Sequence, residues 1–440
     1  MTKAIVGGVF VTMLALIAIA VGYLTLHEVI DPGTPDALTS SAAMDAHPSF
    51  LYGRVTINGG ATYEGRLRWG RAEEAFWGDY FNGVKNGNTW ATHVPPERLL
   101  KKARPISIFG IEITKRQDMV DIGRPFMARF GDISRIEMLG RDVRVTLKSG
   151  TVFDLDYYAV NDFADGVRVW DVKQGVVDLD SSRIHTVDFL SAPPEGAVPH
   201  RLHGTVRTRQ GDFTGFLQWD RNEGLAADEF NGRTADGDVS VRFDTIRSIT
   251  RESADSAGVT LLDGRKIVLS EARETGGSNL GVYVDDRRYG RVLISWDAFE
   301  RVDFSPGGSG PAYSDFPSGQ PITGSITTRD GRRLAGRLVY DLDESETTET
   351  LDAPLEAVTY NLPFGMIASI VLPSHEEQVR VTLHNGEELQ FERGGDLGDG
   401  NLGMLIFIDG SQHPEYVPWI DVKQVDVHRP LLMYPPQSGR

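Results

Sequence analysis

"GTVRTRQGDFTGFLQWD", Gly204 to Asp220, alternates apolar and polar residues on either side of a Gln-Gly turn and closes on a tryptophan and an aspartate. Alternation of period two marks a half-buried strand, and glycine supplies positive φ at a tight turn without steric cost, so the stretch reads as a β-hairpin. Nearly the same stretch stands at Gly53 to Trp69, "GRVTINGGATYEGRLRW", and at Gly324 to Asp341, "GSITTRDGRRLAGRLVYD". Gly53, Gly204 and Gly324 align. A turn glycine comes next at Gly60, Gly211 and Gly331, and a further glycine, Gly65, Gly215 or Gly336, opens the return strand. The hairpin is written three times.

The residues after each hairpin also recur. Trp69, Trp219 and Tyr340 lead into acidic loops in which Phe81, Phe230 and Leu351 coincide. Phe130, Phe243 and Phe364 each precede isoleucines three and six residues on, and a second hairpin then turns at Gly150, Gly264 and Gly386. Each copy closes on an apolar strand around Val187, Val302 or Val425. First and second turn glycines lie about 55 residues apart in the second and third copies, and the first copy matches once an insertion at about Val84 to Met127 is removed. The unit of construction is therefore a half of about 55 residues, two per copy and six in all.

In its glycine, its hairpin and its "GxLxWD" ending, the half-unit resembles Sm-like and SH3-like barrels, and the resemblance implies a small closed β-barrel for each half. Short strands, frequent glycine turns and almost no helical periodicity independently indicate an all-β protein. The expected architecture is three tandem repeats of two such half-units after one N-terminal transmembrane helix. Residues 50–192 form the first repeat, 198–304 the second and 322–428 the third; 305–321 is a Gly/Ser/Pro linker and 429–440 a tail. The alternative is a six-bladed β-propeller, whose blades run to roughly 40–50 residues. The linker, "SPGGSGPAYSDFPSGQP", favours units strung in series over a closed ring.

With 440 residues and 40% hydrophobic content the chain can bury a sizeable core, and a net charge of −17 argues against nucleic acid, whose phosphates call for Lys and Arg. Cysteine is absent, which excludes disulfides, thiolate zinc sites and a cysteine nucleophile. Residues 1–27 hold an uncharged apolar run, Ala4 to Leu26, behind Lys3. That is long enough to span a bilayer core of about 30 Å. It is expected to be a single-pass anchor with the bulk of the chain extracytoplasmic, in the periplasm. A cleavable signal peptide ending near Ala18-Ile19-Ala20 is the rival reading. Residues 28–49 are a flexible linker.

Three groups of residues are candidates for function. Trp69, Trp77, Trp90, Trp219 and Tyr340 offer aromatic platforms for a ligand such as a glycan, with Glu74, Asp79, Glu223, Asp228 and Glu344 beside them as carboxylates. Against this, strand alternation at Trp69, Trp219 and Tyr340 points to packing. The insertion carries Arg98, Lys101, Lys102 and Arg104, a basic patch suited to a protein partner or to anionic lipid head groups. The loop "DLDESETTETLDAPLE" is rich in the oxygen ligands that calcium takes but lacks EF-hand spacing, so no metal is assigned.

No phosphate-binding loop, dinucleotide fingerprint, zinc-protease motif or nucleophile elbow is present, and no cofactor is implied. The expected function is non-catalytic. Tandem β-repeats on a membrane-anchored envelope protein would mediate protein–protein contact or self-association. A carbohydrate- or cell-wall-binding module is the alternative, and a hydrolase comes last, because acids that recur three times in one chain suit folding better than a single active site.

Overall fold

The computed structural model describes residues 47–70, 73–99, 104–108, 111–116, 124–160, 163, 165–193, 201–307, 310–373, 378–408, 411 and 413–431. The expected membrane anchor 1–27, most of the linker 28–49, Lys101, Lys102 and most of the tail lie outside the described residues. No helix among the described residues is long and apolar enough to cross a membrane.

The fold is all-β. Antiparallel strands account for the regular structure, and the helical elements among the described residues are 3-10 turns of at most five residues. Three large sheets contain most of the strands. The first runs, edge to edge, Gly175–Leu179, Val167–Asp171, Thr62–Trp69, Tyr52–Ile57, Ile184–Phe189, Ile133–Leu139, Asp142–Leu147, Val152–Asp156. The last runs from Glu415–Val417 through Met404–Ile408, Arg333–Val339, Thr323–Thr328, Val422–Val427, Ile367–Val371 and Gln378–Leu383 to Glu388–Glu392. The middle sheet has twelve strands. Ten belong to residues 203–304, and Gly290–Ile294 at one end continues into Val358–Pro363 and Thr350–Leu355.

The opening hairpin forms in all three stretches: Tyr52–Ile57 with Thr62–Trp69, His203–Thr208 with Gly211–Gln218, and Thr323–Thr328 with Arg333–Val339. Its glycines are needed because neighbouring strands approach closely. A Cβ at Gly65, Gly215 or Gly336 would collide with the carbonyl oxygen of Trp170, Asp285 or Phe407. One at Gly53, Gly204 or Gly324 would meet that of Asp188, Asp303 or Asp426.

The sheets depart from the expectation of small closed barrels. None closes on itself. In the first sheet the return strand Thr62–Trp69 takes Val167–Asp171, from the second half, as its outer neighbour. The final strand Ile184–Phe189 returns to the opening strand Tyr52–Ile57, and also pairs with Ile133–Leu139. The two halves therefore exchange strands across the centre of one open sheet, and a half-unit has no complete set of strand partners within itself. Sheets of eight, twelve and eight strands also differ from the six four-stranded blades of a propeller.

The cores are shared as well. One apolar cluster runs continuously through the middle and last sheets, from Leu202 to Val427. A second fills the first sheet and takes in Phe216 and Phe316 from later in the chain. The 305–321 stretch is not a free spacer. Tyr313 packs 4.6 Å from Phe76 and its hydroxyl donates to the Ile133 carbonyl at 2.7 Å. Phe316 is buried beside Gly131, where a side chain would overlap its ring. The Lys148 ammonium lies 3.5 Å from the Tyr313 ring centre and donates to the Tyr313 carbonyl at 2.6 Å.

Candidate functional site

Each of the three acidic loops begins with a tight reversal. The N–H groups of Trp69, Trp219 and Tyr340 donate to the carbonyls of Glu73, Glu223 and Glu344 at 2.7, 2.8 and 2.8 Å. A carboxylate then ties the loop down. Asp79 accepts from the N–H groups of Glu74 and Ala75, Asp228 from those of Gly224 and Leu225, and Glu349 from those of Ser345 and Glu346. Backbone donors in a buried loop need partners. The recurrence of these acids serves that need: Asp79 and Asp228 each cap the backbone of their own loop.

The recurring aromatics are interior. Trp69, Trp219 and Tyr340 are at most 1% exposed. Trp69 sits 5.2 Å from Phe163 and 5.3 Å from Phe81, Trp219 5.3 Å from Phe299, and Tyr340 5.1 Å from Phe364. Period-two alternation turns all three into the core, so the platform role expected of them is corrected to packing. Trp77 is buried too; its carbonyl accepts from Arg201 at 2.5 Å, and the Arg129 guanidinium lies 5.6 Å from its ring. Glu74 is buried against Arg66 and, at 3.2 Å, Arg68. Glu223 is half-buried, and burial, with Glu274 and Asp220 adding repulsion, pushes its carboxyl up to about 8.

Glu344 belongs to the densest cluster of charge. Asp341, Asp343, Glu344, Glu349, Asp352 and Asp396 line a cavity of about 230 Å³ where the paired strands Tyr80–Val84 and Pro125–Arg129 face the third acidic loop and the middle sheet's edge strand Thr350–Leu355. Two cations from the first sheet's side enter it. Lys85 donates to Asp343 at 2.7 Å and to Glu349 at 3.0 Å, with its ammonium 4.7 Å from the Phe153 ring. Arg124 pairs with Asp341 at 3.0 Å. Burial opposes the Lys85 charge, but Glu349 and Asp343 outweigh it and hold its pKa above the ordinary lysine value. Burial pushes Asp341 up to about 7 against the pull of Arg124. Glu344 and Asp396 rise well above the carboxylate range, by burial first and then by their acidic neighbours. The Glu344 Oε2 atom is buried without a hydrogen-bond partner. Ser149 and Thr151 donate to Glu346, adding neutral hydrogen bonds to the same junction.

The sequence alone does not single out Lys85 and Arg124, although they stand at the two ends of the insertion. The signal is the loop itself: so many acids without a cation of their own call for cations from elsewhere once buried. The basic residues that the sequence does single out lie differently. Arg98 is exposed on a 3-10 turn, and Arg104 opens a hairpin, Arg104–Ile108 with Ile111–Arg116. In the same insertion, Ala91, Val94 and Leu99 pack on Val339, Leu342 and Leu405, in and beside the last sheet.

Trp90 is half-buried at this contact, 6.1 Å from Phe407. It lines an open cleft of about 930 Å³ with Asn86, Asp142, Phe153, Asp154 and Tyr158. Tyr158 is 74% exposed. Of the expected aromatics, Trp90 lines this cleft and the buried Trp77 borders another of about 730 Å³; Tyr158 is a partner that the repeated pattern does not mark.

A second polar junction lies where the strand Tyr80–Val84 meets the middle sheet. Asp285 is buried between Arg291 and Arg201, and its Oδ1 atom has no hydrogen-bond partner. Burial raises its carboxyl to about 7 although both arginines pull it down. Arg291 donates to Gln218 at 2.8 Å and lies 4.4 Å from the Tyr80 ring. Among the described residues no group of three or more His, Cys, Asp or Glu side chains is placed to hold a metal ion. Chemically, both junctions act as clamps between sheets.

No protein-family model, curated protein or solved structure matches the chain.

Proposed function

We propose that the chain is a membrane-tethered envelope protein, with its bulk outside the cytoplasm, whose three β-repeats hold proteins together without catalysis. Treating the three sheets as repeats is supported by their strands: in every one the opening hairpin lies between the last hairpin before the closing strand and the closing strand itself. The observation that carries the scaffold reading is the join between the middle and last sheets. Gly290–Ile294 accepts Val358–Pro363 through a main-chain ladder, Val292 opposite Tyr360. A strand edge is here used as a connector, and such edges join separate chains by the same hydrogen bonds. Crosslinking the full-length chain in intact membranes is expected to trap it with itself or with another envelope protein. Recovery of the uncrosslinked chain alone, across reagents of several lengths, overturns the reading.

One observation favours a glycan-binding reading as the second choice. Trp90 and Tyr158 share their cleft with Asn86, Asp142 and Asp154, and aromatic faces beside amides and carboxylates suit sugar rings and hydroxyls. Retention on immobilised cell-wall polysaccharide that falls at least tenfold in Trp90→Ala and in Tyr158→Ala supports it. No retention by the unaltered chain removes it.

A further inference from the structure

We infer that the strand Gly175–Leu179 is a self-association edge, pairing antiparallel with the same strand of a second copy of this chain; the inference rests on the scaffold reading and names its partner. This strand ends the first sheet, and among the described residues its outer side has no main-chain neighbour. Its counterpart in the middle sheet is Gly290–Ile294, since Gly175 faces Asp171 as Gly290 faces Asp286. The outer side of that counterpart carries Val358–Pro363, so a strand at this position can take an antiparallel neighbour without disturbing its sheet.

Composition separates this edge from the large sheets' other edges of five residues or more; the remaining edge, Glu415–Val417, is three residues long and its Glu415 pairs with Arg332 at 2.6 Å. Exposed edges are ordinarily guarded by charge or proline. Val152–Asp156 carries Asp154 and Asp156, Gly237–Arg242 carries Asp238 and Arg242, Thr350–Leu355 carries Asp352 and Pro354, and Glu388–Glu392 has a glutamate at each end. Gly175–Leu179 reads Gly-Val-Val-Asp-Leu. Its single charge, Asp178, is engaged by Arg168 at 2.6 Å, Val176 is 51% exposed, and Val177 is only partly buried against the core.

Pairing chemistry decides the occupant. Transferring the register of the internal join to a head-to-tail contact would set Gly237–Arg242 of the second copy on this edge, with Asp238 opposite Asp178. Like charges directly opposed are destabilising. Pairing about a two-fold axis at Val177 sets Val177 on its own copy and Asp178 opposite Val176, with no charge opposed, and it closes at two chains. Tethering both copies to one membrane raises their effective concentration, so a short ladder suffices.

The absence of cysteine makes the test direct. Opposed residues in an antiparallel ladder have Cα atoms about 4.5–5.5 Å apart, within reach of a disulfide. Full-length Val177→Cys is expected to oxidise to a covalent dimer. Val176→Lys, on an exposed side chain, is expected to raise the concentration at which the unmodified chain dimerises in light scattering at least tenfold. Failure of Val177→Cys to crosslink, or crosslinking of Val177→Cys only when mixed with Val239→Cys, overturns the two-fold edge. If the chain is monomeric but still trapped with another envelope protein in membranes, this inference fails and the scaffold reading stands; if neither occurs, both fail.

Discussion

Lys85→Met is expected to lower the free energy of unfolding by about 3–5 kcal/mol, the range for breaking a buried ion pair by removing one partner. The side chain volume is nearly kept and the contact with Phe153 survives, so the loss isolates the charge. Without the ammonium, Asp343 and Glu349 face each other with Glu344 close by, while Arg124 stays engaged with Asp341. Denaturant titration of the full chain measures the effect. Asp343→Asn in the same background should recover part of the loss, because it removes one of the stranded charges. A variant as stable as the parent would show that Lys85 is not what holds the last sheet's acids in place.

The second large effect is on pH. Asp285 and Asp341 are each pushed up to about 7 by burial, and Glu223 to about 8. In an unfolded chain such groups titrate near 4. Between about pH 4 and 7 the folded chain therefore holds protons that the unfolded chain has released, and stability falls as pH rises. Each such proton is worth about 1.4 kcal/mol per pH unit, so Asp285 and Asp341 together give on the order of 4 kcal/mol between pH 7 and 5.5.

Other groups bound this window. Lys148, lowered to about 8 by burial, changes its contribution only above that pH. His47, His203 and His384 are lowered by burial and oppose the trend below about 6.5. The carboxyls of Asp178, Asp263, Asp303 and Asp330, held down by hydrogen bonds, cost stability only toward pH 4 and below. The melting temperature is expected to be higher at pH 5.5 than at pH 8, and Asp285→Asn should flatten part of the slope. A melting temperature independent of pH over this range, or one that rises with pH, contradicts the placement of these acids.

The hairpins, their glycines and the burial of Trp69, Trp219 and Tyr340 are legible in the sequence because each is a local pattern: alternation, a turn residue, a close approach between adjacent strands. The closure of the sheets is not. Two halves with similar strands present similar edges, and nothing within Thr62–Trp69 tells whether its outer neighbour comes from its own half or, as Val167–Asp171 does, from the other. The role of the acids is half legible. Recurrence points to folding, and the loop-capping geometry of Asp79, Asp228 and Glu349 is its reason, but a capped loop leaves no mark in sequence beyond the acid itself. Lys85 and Asp343 are 258 residues apart, and only the meeting of two sheets makes them partners. The Ser305–Pro321 stretch misleads through its composition: glycine and proline suggest slack, whereas Tyr313 and Phe316 are the residues that dock.

The exchange of strands between halves also sets how the protein would bear mechanical load. The first described strand, Tyr52–Ile57, is flanked on both sides, by Thr62–Trp69 and Ile184–Phe189. A pull on the amino-terminal end of the chain would load both ladders in shear, many hydrogen bonds at once, where a strand at a sheet margin would peel away bond by bond. Force arriving from that end meets an interior strand of the first sheet, held on both sides.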